Sequence, residues 1–194
     1  MPPCNSTGGR AVHFIASALV SLLLVDMSAT ERARLPLTEQ AVLDQVGRFA
    51  ALYEAAPNAL AGSLFRPQRR AFLCDALPAA EGNRLLIRDW QGVVETIGVT
   101  GDGRATLRLW LDDRVRIATV DASEDDGRVH TLVDPGTRLY ETLASLRPGT
   151  PVRFSAVLFS STRDCILIDP AGLDIVMTMP SIIARFTEVT PLAP

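Results

Sequence analysis

Few residues in this 194-residue chain are equipped for covalent or metal chemistry, and their spacing keeps them apart. There are two histidines, His13 and His130, and three cysteines, Cys4, Cys74 and Cys165. Zinc sites draw on closely spaced Cys and His pairs, such as CxxC or HExxH. Neither spacing occurs here, so no metal site is expected. All 19 basic residues are arginine, which rules out Schiff-base and P-loop lysine chemistry. There is no G-x-S-x-G, and a Ser or Cys triad would have to be assembled around His130. The acidic run Asp121-Ala122-Ser123-Glu124-Asp125-Asp126-Gly127 offers oxygen ligands. However, Asp126 stands where an EF-hand loop needs its glycine, and Leu132 where it needs the bidentate glutamate. This run reads as a solvated loop. Gly101-Asp102-Gly103 reads as a turn and not as a phosphate cradle. The expectation is a non-enzymatic protein with no catalytic residues and no cofactor.

Two constellations carry more. The first is a face of Thr106, Arg108, Trp110, Arg114 and Arg116 on two successive strands. A three-residue loop, Leu111–Asp113, would pair Trp110 with Arg114 and Arg108 with Arg116, keeping each face uniform. Arginines beside an exposed aromatic suit a single-stranded nucleic acid. The competing and preferred picture is an edge hairpin with its charges outward and Trp110 packed under the N-terminal helices. The second constellation is Cys74 with Cys165. If an export segment carrying Cys4 is removed, two cysteines remain, and an even count in an oxidising compartment favours a bridge. Their Cα atoms should then lie within about 7 Å.

The elements that must position these residues follow from periodicity. Val42, Val46, Phe49 and Tyr53 recur on one helical face, with Thr38 as its cap, Glu39 in its first turn and an end near Ala56, before Pro57. Pro67 suits the first turn of a second helix running to about Leu77, with Phe72, Leu73 and Cys74 as its apolar members. From Leu85 the period becomes two. Ala105, Leu107, Leu109 and Leu111 alternate with Thr106, Arg108 and Trp110, and Val115, Ile117 and Thr119 alternate with Arg114, Arg116 and Ala118. Thr131–Val133 reads as a short strand and Thr137–Leu146 as a helix. Val152, Phe154, Ala156 and Leu158 mark another strand, and Cys165–Ile168, Leu173–Met177 and Ile183–Val189 are read as later ones. A helix between the third and fourth of five main strands is the order of an OB barrel. The fold class is therefore α+β, mostly β: an OB-fold-like, partly open barrel preceded by two N-terminal helices.

The N-terminus stands apart. Arg10 precedes an apolar run, Ala11–Val25, interrupted only by His13. It is short for a membrane span but suits the h-region of a secretory signal ending near Ala29. The alternative is a start at Met27 and a cytoplasmic product. The division is thus 1–29 signal-like, 30–84 helical lead-in and 85–194 barrel, the last two packed as one domain, with no stable transmembrane span in the mature chain. A net charge of −3 makes nucleic acid an unexpected partner.

Several stretches carry a resemblance. They are Ala55-Ala56-Pro57-Asn58-Ala59-Leu60, Leu64-Phe65-Arg66-Pro67-Gln68-Arg69-Arg70, Asp89-Trp90-Gln91-Gly92-Val93-Val94, Leu146-Arg147-Pro148-Gly149, Val152-Arg153-Phe154-Ser155 and Ile183-Ala184-Arg185-Phe186-Thr187. Over roughly residues 38–190 the chain resembles a family of bacterial proteins, often exported, with a helical lead-in and an OB-fold-like β-barrel. Ala156 departs from that pattern, standing where a glycine is expected. The resemblance implies a fold and a compartment, not an activity. The expected function is an exported, periplasmic binding or accessory module for a protein or small ligand. The alternative is a cytoplasmic OB protein that binds single-stranded nucleic acid.

Overall fold

The computed structural model describes residues 34–77, 84–120 and 129–192. The signal-like segment, the turn after the second helix and the acidic loop Asp121–Arg128 lie outside them. Helices α1 (Leu37–Glu54), α2 (Ala59–Ser63) and α3 (Arg66–Ala76) come first. Strands β1 (Arg84–Val99), β2 (Ala105–Trp110) and β3 (Arg116–Ala118) follow, then helix α4 (Arg138–Ser145). The chain continues through β4 (Pro151–Ser161), the two-residue β5 (Cys165–Ile166), α5 (Leu173–Thr178) and β6 (Ser181–Pro191).

Five strands close a barrel in the order β1-β2-β3-β6-β4, with β4 returning to β1; β5 extends the β4 end. The β3–β6 pair is parallel and all others are antiparallel. This is the OB arrangement, with the ring closed rather than partly open. Strand β1 is long enough to serve two neighbours because it bends at two register shifts, Ile87/Trp90 and Val94/Thr96. Asp89 sits in the first of these with φ 58°. Gly92, between the shifts, lets β1 and β2 approach closely: a Cβ there would lie 2.8 Å from the Trp110 carbonyl oxygen.

The expected alternation fills the interior. Leu107 and Leu109 of β2, Val152, Phe154, Ala156 and Leu158 of β4, and Ile182 and Ala184 of β6 are all buried. The Phe154 and Phe186 rings meet edge to face at 5.5 Å. Helix α4 is capped by Thr137, whose hydroxyl accepts from the Tyr140 N–H at 3.2 Å, and it buries Leu143. The core runs without a break into the lead-in, taking in Val42, Leu43 and Val46 of α1 and Leu73 of α3.

The structure departs from several expectations. Helix α1 starts at Leu37 behind Pro36 with no side-chain cap, because the Thr38 hydroxyl instead accepts from Trp90 Nε1 at 3.2 Å. It is therefore Trp90, fully buried, that packs under the helices, while Trp110 stays half-buried. The connector after α1 contains the short helix α2, capped by the Asn58 side chain, which accepts from the Ala61 N–H. Leu173–Met177 is helix α5, not a strand. Its Val176 and Met177 are buried, and it ends at Met179, before Pro180, where a helical backbone is disfavoured. Thr131–Val133 contributes only an isolated bridge between Val133 and Ala105.

Candidate functional site

The β2–β3 register decides which arginines share a face. Trp110 pairs with Arg116, Leu109 with Ile117 and Arg108 with Ala118, so the loop is the five residues between Trp110 and Arg116. The three-residue loop expected from facial uniformity is overturned by Asp112. Its buried Oδ1 accepts from the N–H groups of Arg114 at 2.9 Å and Val115 at 2.7 Å, which sets a wider turn. Leu111 and Val115 both face the core as a result.

Arg114 consequently leaves the face. Its Nη1 donates to Glu54 Oε1 of α1 at 2.7 Å, tying the loop to the end of the lead-in helix. Arg108, Trp110 and Arg116 stay together, with Thr106 further along β2. The Arg116 guanidinium lies 3.8 Å above the Trp110 ring centroid, close enough for a cation–π contact. Glu95, at the second β1 shift, serves both arginines: its Oε2 is 3.4 Å from Arg116 Nε and 3.9 Å from Arg108 Nε. The sequence reading missed Glu95. The hairpin register around Gly101-Asp102-Gly103 pairs Arg108 with Thr96, and it is the shift between Val94 and Thr96 that brings Glu95 to the arginines.

These arginines border a depression of about 220 Å³ between the β2–β3 face and the β4–β6 connection, whose other wall includes Asp169, Ile175, Met179 and Pro180. OB barrels take ligands on this side. Across the same connection lies a larger cavity of about 530 Å³.

Beside that larger cavity sits an ion cluster that sequence reasoning also missed. Asp164 is buried between two arginines of α3. Arg66 grips it with Nε at 2.9 Å and Nη2 at 2.5 Å, and Arg69 Nη2 donates at 2.9 Å. Arg69 is fully buried, and its Nη1 donates to the Val176 carbonyl of α5 at 2.6 Å. Burial raises the Asp164 carboxyl, but the two arginines outweigh it and hold the group below the usual carboxylate range. Burial likewise lowers Arg69, opposed by Asp164. The next residue, Cys165, reaches Cys74 of α3 at disulfide distance, with 5.4 Å between Cα atoms. The expected pair is therefore brought together, and α3 is fastened to the barrel by both a sulfur pair and an ion cluster.

A third buried ionisable group lies where α1 meets β1. Glu39 is fully buried, and both of its oxygens accept from the Gln91 N–H, at 3.2 and 3.0 Å. Burial pushes its carboxyl up to about 8, opposed by the Gln91 hydrogen bond and reinforced by the charge of Asp112.

Among the described residues no group of three or more His, Cys, Asp or Glu could hold a metal ion, and no helix is long and apolar enough to cross a membrane. No family model matches the chain, and no curated protein matches it.

Proposed function

We propose that this chain is an exported, non-enzymatic binding module that engages its ligand on the outer face of β2 and β3. The observation that carries the reading is the depression bordered by Arg108 and Arg116, placed where OB barrels take ligands. The groups around it suit binding: two guanidiniums held in place by Glu95 and by the Trp110 ring, facing aliphatic side chains of the β4–β6 connection. The cysteine pair supports an oxidising compartment, since such bridges persist outside the cytosol. The run Ala11–Val25 and the resemblance to often-exported bacterial proteins point the same way.

The rival reading, a single-strand binder starting at Met27, draws on the same arginines. Against it, Arg116 already covers the Trp110 ring, the natural platform for a stacked base. One pair of measurements separates the two: the mass of the native N-terminus, and titration with a single-stranded oligonucleotide of about 12 nucleotides. The expected results are a terminus within a few residues of Thr30 and no saturable binding at physiological salt. The double variant Arg108→Ala/Arg116→Ala should cost about 1 kcal/mol or less, as befits part-exposed ion pairs in which Arg116 Nε and Glu95 Oε2 make no hydrogen bond. A terminus at Met27, with oligonucleotide binding that this variant abolishes, would replace the proposal with its rival.

A further inference from the structure

Helix α5 forms one wall of the depression bordered by Arg108 and Arg116. Ile175 and Val176 lie on it, with Met179 and Pro180 just past its end. Wall and face are joined directly. The Arg116 backbone N–H donates to the Pro180 carbonyl at 3.0 Å. The position of Pro180 therefore reaches the residue whose guanidinium covers the Trp110 ring. At six residues, α5 is too short to hold as an isolated helix and needs outside support.

The sequence denies α5 part of its own ladder. A helical carbonyl accepts from the N–H four residues further on. Ile175 finds that partner in Met179, at 2.8 Å. Val176 would need position 180, which is proline and has no N–H. Its carbonyl is filled from another element instead: Arg69 of α3 donates through Nη1 at 2.6 Å. A guanidinium at a helix C-terminus also meets the negative end of the helix dipole. Arg69 is itself fixed. It is fully buried, and its Nη2 donates to Asp164 Oδ1 at 2.9 Å. Arg66 holds the same carboxylate, and the neighbouring Cys165 lies at disulfide distance from Cys74 of α3. A line of contacts thus runs from the lead-in, through Arg69, Val176 and Pro180, to Arg116.

We propose that Arg69 is a positioning residue for the ligand face: α3 sets the α5 wall and, through it, Arg116, so that the lead-in is part of the binding apparatus as well as a support for the barrel. This role rests on reading the β2–β3 face as the ligand site, but its test needs no ligand and so fails or succeeds apart from that reading.

A guanidinium serves two acceptors at once because its donors form a fork, whereas lysine carries a single ammonium. Arg69→Lys keeps a cation for Asp164 and gives up the Val176 carbonyl. Arg69→Met gives up both. Each leaves Asp164 its two contacts with Arg66. Arg66→Met is the control, because Arg66 holds Asp164 and makes no hydrogen bond to α5.

Amide hydrogen exchange, followed by NMR on the full mature chain, reads this line directly. In Arg69→Lys and Arg69→Met the Met179 and Arg116 amides should exchange about tenfold faster than in wild type, since a charge-assisted hydrogen bond no longer closes that region. The Arg116 Nε–H resonance should shift with them. The Val94 and Val133 amides, bonded elsewhere in the barrel, should keep their wild-type rates. In Arg66→Met the Met179 and Arg116 amides should also match wild type. Wild type alone offers a second measurement. Scalar couplings across two hydrogen bonds, from Arg69 Nη1 to the Val176 carbonyl and from Arg116 N to the Pro180 carbonyl, should both be detected. Absence of the first coupling would overturn the role without any variant. So would unchanged Met179 and Arg116 amides in a folded Arg69 variant, or an equal acceleration in Arg66→Met.

Discussion

Glu39 holds a carboxyl where water cannot reach it, two residues into a helix whose N-terminus favours negative charge. Desolvation dominates, and the group stays protonated to about pH 8. The unfolded chain ionises it near the ordinary glutamate value of 4.5. Below that value both states are protonated and the contribution to stability is complete. Between there and about 8 the unfolded chain sheds its proton while the folded one keeps it, so stability falls as pH rises and levels off beyond. The swing is on the order of 4 kcal/mol. Urea unfolding of wild type at pH 5 and pH 9 should differ by an amount of that order. Glu39→Gln keeps an acceptor for the Gln91 N–H and has nothing to ionise, so its two midpoints should nearly coincide. A wild-type curve that rises with pH over this interval would show that Glu39 is ionised in the fold. Asp164 belongs to the opposite regime, because its two arginines keep it charged and its contribution is lost only in acid.

Among the elements, the bend in β1 is the most exacting. Gly92 has the Trp110 carbonyl oxygen and Leu109 of β2 against its missing side chain. Backbone cannot step aside as a flexible side chain can. Gly92→Ala should therefore cost about 1–3 kcal/mol in denaturant midpoints, whereas Gly101→Ala, with open space around it, should fall within about 0.5 kcal/mol. Equal effects would mean that the strands separate without cost at this point. The same elements show what the sequence could reveal. Alternation in Ala105–Leu111 and Val152–Leu158 exposed the barrel interior directly, since a pleated strand with one buried face has no other pattern. Register was harder to see. The β2–β3 loop widens because one Asp112 oxygen satisfies two amides, a preference that facial alternation does not encode. Leu173–Met177 is a short apolar run, which periodicity cannot assign; it is helical because Val176 and Met177 are buried and Arg69 holds the Val176 carbonyl. Of the face Arg108, Trp110, Arg114 and Arg116, three members were legible. The fourth was lost with the register. Glu95, Glu39, Arg66, Arg69 and Asp164 matter through partners 13 to 98 residues away, and no local pattern announces such pairs.

Across the whole molecule, lead-in and barrel share one core, so they should unfold together. The Cys74–Cys165 link spans 91 residues, and in the chain-entropy account a loop of that size contributes about 4–5 kcal/mol. Unreduced mature protein should show a single calorimetric transition and no titratable thiol after denaturation. Cys74→Ser/Cys165→Ser should lower that transition without splitting it. Two transitions would mean that α1–α3 form a separable unit, and two free thiols would remove the bridge. The parallel pairing of β3 with β6 also sets an order of events. The three residues of β3 find their second neighbour only in Ser181–Ile183, more than sixty positions later in the chain. Whether delivered by a ribosome or through a translocation pore, β1, β2 and β3 emerge as an open hairpin sheet and wait with an unpaired edge. An exposed strand edge is a template for association with other chains. Here the waiting edge is short, three residues, and it begins with the charged Arg116. The charge that covers the Trp110 ring in the finished protein thus also protects the nascent chain until its last strand arrives.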